Sequence, residues 1–262
     1  MAHLSLAERL LQELGITEPN EIDLEAIAYH VGAHVRYQSL DGCEARIIGH
    51  GDQAIITVNS RSSYRRNRFS IAHELGHWRH HRGRCLVCRA TEVGGREAMS
   101  PERVADDYAA DLLLPNYLFK PIARQHPKLD FASVKAIADL FEASQTSTAI
   151  RLVEADHAAA LLICHGFRGR KWFVRSPSVP SRWFPRDNLD PDGFAFGILH
   201  GGKSDDAFPR RIGASAWFDH WEASRYDVFE QSFRTAEDEV LTLVLIRDDR
   251  MLEEKETRRG WR

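Results

Sequence analysis

Disulfides, membrane spans and a strong charge of either sign are all missing from this sequence, and each absence removes a class of protein. Four cysteines among 262 residues are too few for a disulfide framework, which points to a reducing, cytoplasmic setting. No apolar run approaches the roughly 18 residues needed to span a bilayer, so no membrane partner is expected. The opening stretch MAHLSLAERLLQELG lacks the basic start, apolar stretch and small-residue cleavage site of a secretory signal, and reads as an amphipathic helix. A net charge of −3 argues against a protein that coats nucleic acid. Low-complexity tracts and internal repeats are also missing. What is present is a globular composition, 43% hydrophobic and 10% aromatic, in a chain long enough for one large domain or two ordinary ones.

The pattern along the chain changes twice. Residues 4–15 and the stretch EIDLEAIAYHVGA repeat apolar residues at helical spacing and end at Gly15 and Gly32. Three short β-branched runs follow, HVRYQSL, EARIIGH and AIITVNS, separated by turn residues; they predict a small antiparallel sheet. Helices are expected next over about Arg65–His81 and over SPERVADDYAADLLLP, where Ser100 can cap, Pro101 suits the first turn and Pro115 marks the end. Residues 131–155 predict two short helices resembling a helix-turn-helix. Beyond His157 the texture is β-rich. AALLICHGF and RKWFVRSP read as a hairpin, and FAFGILHG, ASAWFDH, YDVFEQSFR and EVLTLVLIRD as further strands. The expected organisation is α+β, with a first domain over 1–156 and a second, α/β domain over 157–262.

Chemistry concentrates in RNRFSIAHELGHWRHHRGRCLVC. His73, Glu74 and His77 spell H-E-x-x-H, and histidines four apart stand one turn above each other on a helix, so both can bind one ion. Glu74 lies about 100° round the helix and reaches beside the ion, as a base for water would. A catalytic zinc takes a third protein ligand from elsewhere and keeps one position open. Glu102, in the first turn of the next predicted helix, is that candidate. Asp106, one turn on, is placed to accept the second N–H of a ligand histidine and fix its tautomer. The small Ala105 and Ala109 on that face would let the two helices approach closely. Besides zinc, Tyr64 and His165 are candidates for stabilising an oxyanion, and AIITVNS is a candidate edge strand for an extended substrate.

RFSIAHELGHWRHH followed by ERVADDYAADLLLP resembles the ImmA/IrrE family of bacterial zinc metallopeptidases over about residues 5–155. The resemblance implies a zincin-like domain in which His73, His77 and Glu102 hold Zn²⁺ and Glu74 is the catalytic base. Asp106, Tyr108 and Leu114 depart mildly from the family pattern, which more often has Asn or Asp, Phe and Met there. Family members commonly cleave a helix-turn-helix repressor, so the resemblance implies such a repressor as substrate. It also implies a sensory, GAF-like domain for 157–262, with single-stranded DNA as a candidate effector. The competing class is a DNA-binding transcription regulator in which zinc is structural and nothing is cut.

The thiols leave three readings open. Cys85 and Cys88 form a C-x-x-C beside His80 and His81, which could be a second zinc site, two ordinary loop thiols, or an inhibitory switch in which one thiolate occupies the open zinc position. Cys43 and Cys164 fall in strand-like stretches and are expected in the core. Trp172, Trp183, Trp217 and Trp221, near Arg168, Arg170 and Lys171, could stack bases of single-stranded nucleic acid or fill the core of a twisted sheet.

Overall fold

The computed structural model describes residues 4–81 and 100–253. These fall into two compact units. One comprises the residues up to Gln125 together with Ala136–Thr148, and the other His126–Lys135 with the residues from Ala149 onward.

In the first unit, α1 (Leu6–Glu13) begins with a reciprocal capping box between Ser5 and Glu8. α2 (Leu24–His30) is capped by Asp23, whose carboxylate accepts from the Glu25 and Ala26 N–H groups at 3.0 Å. A three-stranded sheet follows: β1 (Ala33–Gln38), β2 (Ala45–His50) and β3 (Gln53–Asn59), in the order β1-β3-β2. β2 and β3 form an antiparallel hairpin that turns through Gly51 at φ +57°, a conformation that suits glycine. β1 pairs with β3 in parallel. The expectation of an all-antiparallel sheet, with AIITVNS at its edge, is therefore overturned. That stretch is β3, the central strand. Its run of buried Ile56, Thr57 and Val58 needs neighbours on both sides, whereas β1 and β2 carry mostly exposed residues.

α3 (Tyr64–His80) packs against β2 and β3, so closely at Gly49 that a Cβ there would lie 2.5 Å from the Trp78 ring. The Trp78 indole N–H donates to the Val31 carbonyl at 2.9 Å, tying the helix to the end of α2. Arg68 is buried near the start of α3. It donates to the Ile22 carbonyl at 3.1 Å and pairs with Glu142 at 3.4 Å, as a buried charge requires. α4 (Pro101–Leu113) begins as expected, Pro101 following the cap Ser100, whose hydroxyl accepts from the Arg103 N–H. α5 (Asn116–Arg124) is an element the sequence pattern does not announce. α6 (Phe131–Leu140) and α7 (Gln145–Glu154) fill the span read as two short helices.

The second unit is built on a five-stranded antiparallel sheet. Its strands β4 (Ala160–Gly166), β5 (Gly169–Arg175), β6 (Arg210–Gly213), β7 (Asp227–Ala236) and β8 (Glu239–Leu245) lie in the order β5-β4-β8-β7-β6. FAFGILHG is not a strand but α8 (Phe194–Gly201), closed by Gly202 at φ +64°. An eight-residue apolar run suits a buried helix as well as a strand. Its first turn is set by Glu230, whose buried carboxylate accepts the Ala195 N–H at 2.6 Å and the Trp217 indole N–H at 2.9 Å. ASAWFDH likewise forms a 3₁₀ turn at Ala214–Ala216 rather than a strand, because Trp217 and Phe218 enter the core together.

Candidate metal centre

α3 and α4 meet at Gly76. A Cβ on that glycine would lie 2.8 Å from the Ala105 Cα and 2.9 Å from its carbonyl oxygen. The missing side chain lets the helices close, and closure carries Glu102 to the two histidines. His73 Nε2 lies 3.0 Å from His77 Nε2 and 3.2 Å from a Glu102 carboxylate oxygen; the other carboxylate oxygen is 3.5 Å from His77 Nε2. One ligand atom from each of the three residues falls within 4.8 Å of the others. Two imidazole nitrogens and a carboxylate converging on one point make a donor set suited to a zinc-like ion.

The surroundings fit that use. Asp106 Oδ1 lies 2.9 Å from His73 Nδ1. Burial pushes the His73 imidazole down, but the Asp106 hydrogen bond and charge, with Glu74 and Glu102, leave it raised overall. His77 is lowered to about 4, by burial first and then by the neighbouring His73. Glu74 is 2% exposed, and burial raises its carboxyl to about 7. Its Oε2 is buried without a hydrogen-bond partner among the described residues. An orphaned carboxylate oxygen beside three converging ligands is the feature expected where an ion and a water complete the site. His81 was not singled out as part of this group. Its Nδ1 lies 3.3 Å from His77 Nδ1, and the 73, 77, 81 spacing is the signal that could have found it.

Residues 28–153 match the family model of the IrrE N-terminal-like domain, peptidase M78. Over those residues the chain belongs to the ImmA/IrrE family. The family is one of metal-dependent peptidases, and the His73–His77–Glu102 group is compatible with that. A solved structure, a Mycobacterium tuberculosis transcriptional regulator, superposes with a TM-score of 0.61 at 14% identity, over 91% of this chain and 74% of that one. At that identity the likeness is one of fold. No curated protein matches the sequence.

The remaining sequence candidates divide clearly. Cys85 and Cys88 lie outside the described residues. The Tyr64 hydroxyl donates to Glu142 at 2.9 Å. His165 sits on β4 in the second unit, 1% exposed, with its Nε2 3.4 Å from the Arg186 carbonyl. Cys164 is fully buried and Cys43 half-buried. Trp183 and Trp217 are core residues at 0% and 3% exposure, whereas Trp221 is 68% exposed. Of the basic residues read with them, Arg170 pairs with Asp187, and Lys171 with Asp238 and Glu239. Among the described residues no helix is long and apolar enough to cross a membrane.

Proposed function

We propose that this protein is a zinc-dependent endopeptidase that cleaves a helix-turn-helix transcriptional repressor. The observation that carries the reading is the buried Glu74 Oε2, without a hydrogen-bond partner among the described residues, beside the His73–His77–Glu102 group. In this reading His73 and His77 bind zinc through Nε2 and Glu102 through its carboxylate. Zinc supplies Lewis acidity for a peptide carbonyl and a nucleophilic water at neutral pH. Asp106 holds the His73 ring in the tautomer that leaves Nε2 free to ligate. Glu74 takes the proton of the attacking water at Oε2 and returns it to the departing amine. Burial raises the Glu74 carboxyl, the direction that helps a carboxylate take up the proton it must then return.

The second unit is read as the regulatory, GAF-like part, with single-stranded DNA as the signal to test. The alternative is a DNA-binding transcription regulator with a structural zinc. It is favoured by the α6–α7 helix pair and by the regulator whose fold this chain shares.

The two readings part at Glu74→Gln. Wild type and the variant are incubated with the helix-turn-helix protein encoded beside this gene, with and without single-stranded DNA, and the products are read by mass spectrometry. A defined cut by wild type alone, with zinc content equal in both proteins, is the expected result. Equal behaviour of the two proteins, with zinc bound and DNA bound, would favour the regulator.

A further inference from the structure

One face of the β1-β3-β2 sheet lies against α3, and burial of Ala33, Ala45, Ala54, Ile56 and Val58 marks it. Side chains alternate across a strand, so the opposite face carries the residues between them. The register lines these up in two rows. His34 on β1 stands beside Ile55 on β3, and Ile55 beside Ile48 on β2. One step along, Arg36 stands beside Thr57, and Thr57 beside Arg46.

The first row is open to solvent and apolar on two of its three strands, with His34 at its β1 end. Ile48 is 64% and Ile55 43% exposed, and Tyr29, 71% exposed, extends the strip with its ring 5.4 Å from that of His34. The second row is cationic. Arg36 donates to the Thr57 hydroxyl at 2.8 Å, and Arg46 flanks the same threonine from the other side. Among the described residues neither guanidinium meets a carboxylate. The outward positions of the three strands hold no Asp or Glu. The acids flanking these strands are engaged or placed elsewhere: Glu44, just before β2, pairs with Arg66 at 3.9 Å and accepts from the Ser62 hydroxyl, Glu25 accepts from the Tyr37 hydroxyl, and Asp52 is in the hairpin turn.

We propose that this face docks an acidic amphipathic helix of a partner protein. A sheet with one apolar strip left bare has room for a second covering layer. The row, with His34 at its β1 end, crosses three strands, about 10 Å, close to the width of one helix. The two arginines sit on either side of the central strand and would meet carboxylates on the helix flanks. Other occupants fit less well. A second copy of this face would set arginine against arginine. Nucleic acid offers phosphates to the arginines but nothing to cover two exposed isoleucines, and two cations are few for a backbone track.

The test is isoleucine-methyl NMR on the full chain, with a Leu/Glu amphipathic peptide of about 18 residues as probe, long enough to be helical. A Leu/Lys twin, a single-stranded oligonucleotide and anionic vesicles serve as the other arms. The acidic peptide should shift the Ile48 and Ile55 methyls saturably. The Arg36→Ala/Arg46→Ala protein, whose changes are at exposed sites, should bind it roughly tenfold more weakly, the loss expected for two exposed charge pairs. No shift with the acidic peptide would overturn the proposal. So would equal binding of the lysine twin, or shifts of these methyls by the oligonucleotide or vesicles alone.

Discussion

At the scale of single residues, the site depends on which nitrogen of each histidine carries the proton. A neutral imidazole has one N–H, so a histidine that ligates through Nε2 must carry it on Nδ1 and needs an acceptor there. Asp106 fills that role for His73. For His77 the group in position is the imidazole of His81, at 3.3 Å, which must then carry its own proton on Nε2. His81→Ala should therefore weaken zinc binding by about 10- to 100-fold, the range typical for a lost ligand-orienting partner. His81→Asn should recover most of the loss, because its side-chain oxygen can accept the same N–H. Competition with a chromogenic chelator measures both. Tight binding by the alanine variant, or no difference between the two variants, would remove His81 from the site.

Among elements, the close crossing of α3 and α4 decides whether a ligand set exists at all, and Gly76 sets it. An alanine there would ordinarily help a helix by about 1 kcal/mol. Here its Cβ would meet backbone atoms of Ala105 at 2.8–2.9 Å, and overpacking of that kind costs about 1–3 kcal/mol. With the helix gain set against that cost, Gly76→Ala should destabilise the metal-free first unit by about 1 kcal/mol and at most about 2 kcal/mol, and should loosen the proposed zinc binding by moving Glu102 outward. Urea unfolding at constant slope checks the first effect; an unchanged or higher midpoint would mean that the helices have slack. This crossing was half legible in the sequence. The H-E-x-x-H spacing, the Ser100–Pro101 start and the small Ala105 and Ala109 are local patterns, and local patterns survive into the fold. What was not legible is non-local or ambiguous in kind. Nothing within HVRYQSL states that it will lie parallel to β3 and leave that strand in the centre. Pro115 reads as a stop, which hid α5 behind it, although a proline before the first helical turn is well tolerated. FAFGILHG has no period to separate helix from strand, and Glu230, which caps it, is 35 residues away.

Taken as a whole, the molecule keeps its ionisable chemistry in two places that respond differently to conditions. In the first unit, if the His73–His77–Glu102 group holds zinc as proposed, stability should rise with zinc concentration. The second unit holds His165 on β4, 1% exposed, against the Trp217 ring. Burial pushes this imidazole down to about 4, although its bond to the Arg186 carbonyl opposes the shift. An unfolded histidine titrates near 6.5. Between these values the unfolded chain binds a proton that the folded unit refuses, so stability is intact above about pH 6.5 and is lost as the pH falls toward 4. The loss from pH 7 to pH 5 should be about 2 kcal/mol for the second unit. Other groups titrate in the same window, and Glu74, whose carboxyl is raised, works in the opposite sense. The informative quantity is therefore the difference between wild type and His165→Gln at each pH. Glutamine cannot take up the proton, so its stability deficit should shrink by about the same 2 kcal/mol on going from pH 7 to pH 5. A deficit that stays constant across that range would show that His165 is protonated as readily folded as unfolded, and that the second unit is not the acid-sensitive half.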